Sequence, residues 1–169
     1  MRKNVKQQLA LRVLSTAALM AMVSSIATAA FADTYDLNKG SVDILAEGGK
    51  QYITQWQDES KGTFVQDENG KNIDHRPDDD ITLTTKDETT GEIKTTSNTV
   101  TITAENKGDT ANVTLQNADI EQPDSYWSSV PAPIEIKGNG DTNLELNGDN
   151  TVLTTNSTAE EHAAIEKAD

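Results

Sequence analysis

The 169-residue chain has no cysteine. That removes thiol catalysis, structural Cys-zinc sites and thiol redox chemistry, and it removes disulfides as a source of stability. Histidine is nearly absent too. His75 and His162 stand 87 residues apart, and neither has a partner at metal-ligand spacing. Serine is plentiful, but no G-x-S-x-G elbow presents one as a nucleophile. Past residue 32 a single arginine, Arg76, remains, leaving few groups to clamp an anionic glycan or act as the strong base of a lyase. With 28 Asp and Glu residues, some carboxylates must lie close together, so proximity alone does not mark a glycosidase pair. No nucleophile, base and orienting group are assembled, and the chain is not expected to be an enzyme.

Only one long apolar run exists. Arg2, Lys3, Lys6 and Arg12 precede the stretch from Val13 to Val23, and the small-x-small triplets Ala27-Thr28-Ala29 and Ala30-Phe31-Ala32 close the segment. This order is that of a secretory signal peptide cleaved after Ala32, leaving Asp33 as the mature N-terminus. The competing reading, a membrane anchor, needs about 20 apolar residues, and this core is about half that length. A secreted or cell-surface protein with no membrane span in its mature form is expected. Cleavage removes four bases and no acids, leaving 10 Lys and Arg against 28 Asp and Glu, a net charge of −18. Such a surface repels nucleic acid and anionic membrane while offering carboxylates to cations.

From Asp33 onward the apolar pattern has period two. Tyr35/Leu37, Val42/Ile44, Ile81/Leu83, Val100/Ile102, Val113/Leu115, Ile134/Ile136 and Leu144/Leu146 each form a short alternating run bounded by Gly, Asn or Asp. This is the signature of strands and turns, and no segment after the signal makes a convincing amphipathic helix. The runs also repeat. With one residue gapped, Gly108-Asp109-Thr110 through Leu115 matches Gly140-Asp141-Thr142 through Leu146, with Val113/Leu144 and Leu115/Leu146 each 31 apart, and Ile134 and Ile165 share that spacing in a second phase. Val100 lies 34 residues before Ile134. Two phases with one period predict an all-β solenoid in which apolar residues stack as ladders: Val113 on Leu144, Leu115 on Leu146, and Val100 on Ile134 on Ile165. A β-sandwich is the alternative. Residues 33–80 are read as an N-terminal β cap and 81–169 as the repeating body. The next apolar pair would fall near positions 175 and 177, so the solenoid is expected to be incomplete at its C-terminus, as in a fragment of a longer protein. An even spacing puts Tyr52 and Trp56 on one strand face, read most simply as a core face of the cap.

The runs Ala111–Ile120 and Gly138–Leu153, followed by His162-Ala163-Ala164-Ile165-Glu166-Lys167, resemble the β-helix surface proteins of gut Firmicutes usually labelled carbohydrate-binding domain-containing proteins. The opening Leu37-Asn38-Lys39-Gly40-Ser41-Val42-Asp43-Ile44 is similar to theirs as well. The resemblance implies a right-handed parallel β-helix with further coils and a glycan as partner.

Sugar faces stack on aromatic rings, so Tyr126 and Trp127, with Asp124 beside them in a polar insertion, are candidate carbohydrate-binding residues. Folding back as a packing lid is the commoner fate of such rings. Asp78, Asp79 and Asp80 form an oxygen-rich turn of the kind calcium favours. No EF-hand or nonapeptide calcium repeat surrounds them, and solvated turns use the same residues unaided; no other cofactor is implied. Carbohydrate binding or adhesion is the leading expectation. A structural stalk or spacer, and a fragment of a polysaccharide-degrading enzyme, are the alternatives.

Overall fold

In the computed structural model, residues 33–123, 131–155 and 163–168 are described. The signal-like segment 1–32 lies outside them. The chain opens with β1 (Thr34–Asp36), β2 (Ser41–Glu47) and β3 (Lys50–Asp58), then β4 (Thr63–Phe64) and β5 (Arg76–Pro77). Next come β6 (Ile81–Thr84), β7 (Thr95–Thr96), β8 (Val100–Ala104), β9 (Thr110–Gln116) and β10 (Asp119–Gln122). The last are β11 (Ile134–Lys137), β12 (Asp141–Asn147), β13 (Thr151–Thr154) and β14 (Ile165–Lys167). Among the described residues there is no α-helix, only two single 3-10 turns, so the described part of the chain is all-β.

Three sheets share these strands. The first runs β1-β6-β9-β12 and the second β7-β10-β13, while the third runs β14-β11-β8-β2 and continues through β3 to β4. Pairing is parallel everywhere except where β3 meets β2, β4 and β5, unlike the antiparallel sheets of a sandwich. From β6 onward the chain visits the first, second and third sheet in turn, three times over. Parallel neighbours cannot be joined by a tight turn, and here the chain reaches its own neighbour after passing through the other two sheets.

The registers place Val113 beside Leu144 and Leu115 beside Leu146. Ile134 pairs with Val100 on one side and Ile165 on the other. These are the partners expected from the 31- and 34-residue spacings. Inside, Val42, Val100 and Ile134 form one fully buried row, and Tyr35, Leu83 and Leu115 form another. Each aliphatic side chain so buried contributes roughly 1.5–3 kcal/mol. The rows do not stay buried to their ends. Leu146 is 61% exposed and Ile165 42%, because no described strand lies beyond β12 or β14.

The corner between the third and first sheets shows how closely the repeats stack. Gly138 adopts φ +87°, and a Cβ there would lie 2.0 Å from the Ala104 carbonyl oxygen. Only glycine fits such an approach.

At the opposite end β2 and β3 form a hairpin through Gly48 and Gly49, both at positive φ, as a tight two-residue turn demands. Its inward row is Gln51, Ile53 and Gln55, all buried, with Val65 and Ile73 joining the same core. The two amides act as substitute backbone. Gln51 donates to the Asn112 carbonyl at 3.0 Å and accepts from the Asn112 N–H at 2.6 Å. Gln55 donates to the Asp36 carbonyl at 2.8 Å. Tyr52 and Trp56 therefore face outward and are half-buried, contrary to the core-face expectation. Parity along β3 is decided by amides that cap neighbouring strands, not by the aromatics.

Candidate functional site

The outward parity of β3 gathers aromatic side chains on one face. Trp56 sits opposite Phe64 in the β3–β4 register, and their rings pack at 4.7 Å between centroids with a 30° tilt. The Trp56 indole N–H donates to Asp43 Oδ2 at 2.6 Å, a charge-assisted bond that fixes the ring. Four residues away Tyr52 stacks on His75, with centroids 4.1 Å apart and planes within 9°. His75 is held in a left-handed conformation, φ 43°, where its N–H donates to Thr54 Oγ1 at 3.0 Å. Thr54 pairs with Asp43 across the hairpin, so two aromatic pairs flank a polar saddle. Strand geometry puts Tyr52 and Trp56 about 13 Å apart along β3.

The face continues across the third sheet. Asp43 aligns with Thr101 and Glu135, and Leu45 with Thr103 and Lys137, where Lys137 pairs with Glu135 at 2.8 Å. Phe64 also lines an open cleft of about 640 Å³ together with Lys39, Gln57, Thr63, Gln66 and Asn72. A phenylalanine ring edged by amides, a hydroxyl and an ammonium can contact an apolar ligand face and hydrogen-bond its polar rim.

A second cluster lies at the first strand. Arg76 pairs with Asp33 at 2.7 Å and Asp67 at 3.3 Å, tying the β4–β5 segment to the start of β1. The Tyr35 hydroxyl donates to Asp78 Oδ2 at 2.8 Å. Burial, helped by this bond to Asp78, pushes the Tyr35 pKa up. Burial likewise pushes the Asp78 carboxyl up, against the lowering effect of the bonds from Tyr35 and the Asp80 N–H. Hydrogen bonds from Lys71 and Asn69 N–H, against some desolvation, hold Asp67 below the usual carboxylate range. Arg76 is thus engaged within the fold.

Of the residues singled out from sequence, Tyr126, Trp127 and Asp124 lie outside the described residues. In the Asp78-Asp79-Asp80 turn, Asp78 is directed at Tyr35 and the Asp80 N–H, and Asp79 and Asp80 are exposed. Among the described residues no group of three or more His, Cys, Asp or Glu side chains is placed to hold a metal ion. No helix among them is long and apolar enough to cross a membrane. The Trp56–Phe64 and Tyr52–His75 pairs escaped the sequence reading. The signal for them was the pair Gln51 and Gln55, which alternates with the aromatics on the same strand. No protein-family model, curated protein or solved structure matches the chain.

Proposed function

We propose that this chain is a secreted, non-catalytic cell-surface protein that binds carbohydrate on the outward face of its β hairpin. The reading carries with it a right-handed parallel β-helix. The cyclic visiting of three sheets and the 31-residue registers support the β-helix, and its hand follows the family resemblance. The basic, apolar and small-residue sequence of residues 1–32 supports export.

One observation carries the binding reading: two aromatic pairs, Trp56–Phe64 and Tyr52–His75, stand on one outward sheet face, and Phe64 also borders an open cleft of mixed polarity. Rings kept out of a core, with the Trp56 indole held by Asp43 and the His75 backbone held by Thr54, offer pre-organised apolar surface to a sugar ring at little entropic cost. Tyr126 and Trp127 are a second candidate platform within the same reading.

A glycan array, run with calcium and then with a chelator, tests this. Trp56→Ala is expected to weaken a selected glycan by about 2 kcal/mol, roughly thirtyfold. Loss confined to Tyr126→Ala/Trp127→Ala would move the site to that segment, and chelator sensitivity would make the acidic turns ligands. A folded protein that retains no glycan would refute binding and leave the stalk reading. Release of reducing or unsaturated sugar ends would refute the non-catalytic assignment.

A further inference from the structure

The Phe64 cleft differs in charge from the rest of the chain. Among the described residues that line it there is one ammonium, Lys39, and no carboxylate, although the sequence sets 28 acids against 14 bases. Two neighbouring clefts share Lys39 but are edged by Asp36 and Glu88. Even so, the ion pairs among the described residues engage Lys61, Arg76, Lys94 and Lys137, not Lys39. The backbone that carries Lys39 is fixed on both sides. Before it, Leu37 is buried and its carbonyl accepts from Asn98 Nδ2 at 2.7 Å, while Asn38 Nδ2 donates to the Thr85 carbonyl at 2.9 Å. After it, Gly40 lies so close to β3 that a Cβ would collide with the Trp56 carbonyl. The ammonium therefore has a fixed root beside the Trp56–Phe64 pair, and its own flexible stem supplies the reach. On the same cleft Gln66 Nε2 donates to Asn72 Oδ1 at 3.2 Å. That bond occupies the Asn72 carbonyl and leaves its NH2 group as a further donor on the rim.

We infer that the ligand of this cleft carries one anionic group, a carboxylate or an ester sulfate, on an otherwise neutral sugar; the inference rests on the carbohydrate reading above. Lys39 takes the anion while Phe64 contacts an apolar sugar face. Arg76 is held by Asp33 and Asp67, so the anion falls to the lysine, which meets it as a single charge without a bidentate fork. One ammonium neutralises one charge. A second anionic group would face Asp36 and Glu88 in the adjoining clefts, and a polyanion would face the whole chain, whose net charge is −14 even before processing. Attraction at one point within a repelling surface selects a lone acidic sugar over both a neutral one and a polyuronate.

Retention on glycans paired to differ in one group tests this on the full-length chain in whatever processed form the cells yield. The pairs are glucose and glucuronic acid, lactose and sialylated lactose, and galactose and its sulfate ester, with polygalacturonate as the polyanion. At low salt an acidic member is expected to be held about fivefold more tightly than its neutral partner, and the advantage should shrink as salt rises. Which pairs show it tells carboxylate from sulfate. Lys39→Gln should bring the acidic-to-neutral ratio near unity, and Lys39→Arg should restore most of it. Lys107→Gln removes the same charge from an exposed position outside the cleft and should leave the ratio as it is. Retention without an acidic preference, a preference that survives Lys39→Gln or is lost equally in Lys107→Gln, or tightest retention of polygalacturonate would each overturn the inference and leave the carbohydrate reading standing. Retention of no glycan, neutral or acidic, would overturn both.

Discussion

Leu115 and Leu146 are the same residue at the same register position of adjacent strands. Leu115 is 0% exposed and Leu146 61%, so truncating each to alanine separates the value of coverage from that of side-chain identity. Leu115→Ala loses the full transfer energy and leaves a cavity walled by Leu83 on one side and Leu146 on the other. The expected cost is about 3–4 kcal/mol, within the range for enclosed leucines. Leu146→Ala removes a side chain with well under half its surface buried and leaves no enclosed cavity. Scaling the roughly 2–3 kcal/mol of a fully buried leucine by that fraction gives about 1 kcal/mol. At roughly 4 °C per kcal/mol for a body of this size, the midpoints should fall by about 12–16 °C and about 4 °C. Thermal melts followed by circular dichroism read both. Equal losses for the two variants would refute the assignment of Leu146 to an uncovered end rung.

Gln51→Leu keeps side-chain volume but strips the Asn112 N–H and carbonyl of their partner. Two partly buried backbone groups left unsatisfied should cost about 2–4 kcal/mol, read as a lower urea midpoint with unchanged slope; an unchanged midpoint would show that water replaces the amide without loss. Acid should also destabilise the fold. The Lys94 ammonium, then the Thr90 and Thr89 N–H groups, hold the Asp87 pKa well below the ordinary carboxylate value, and Lys61 and Ser60 do the same for Asp58. A carboxyl depressed in the folded state contributes stability above its unfolded pKa of about 3.9, and that contribution disappears as pH falls through the folded value. Asp78 runs the other way: burial raises it, so its ionised form is disfavoured in the fold and protonation relieves that. Urea midpoints should therefore drop below about pH 4, with a shallower drop in Asp87→Asn; an identical pH profile in that variant would contradict the assignment.

Ladder partners were legible from sequence because parallel stacking repeats the same residue class at a fixed interval. Val113, Leu144, Ile134 and Ile165 announce their neighbours through spacing alone. Coverage was not legible in the same way. Nothing local to Leu146 distinguishes it from Leu115, since burial is conferred by the next strand. The hairpin defeated the apolar-in rule for a different reason. Gln51 and Gln55 are interior because they complete the hydrogen bonding of β9 and of the segment after β1, demands set by chain segments 61 and 19 residues away. Trp56 and Tyr52 then take the outside by exclusion. His75 joined the site through a left-handed backbone position, which no composition or periodicity foretells.

The Gly48-Gly49 turn has a consequence in time as well as in space. It joins the one long strand pair whose partners are near in sequence: Glu47 meets Lys50, whereas Val42 must wait for Val100 and Tyr35 for Leu83. Closing a short hairpin takes microseconds, and long-range parallel pairing is far slower. The hairpin is therefore expected to form first, with β2 presenting the edge that β8 pairs with, followed outward by β11 and β14. The third sheet is thus expected to grow outward from one side of its hairpin, each parallel addition extending the face on which Trp56 and Tyr52 stand.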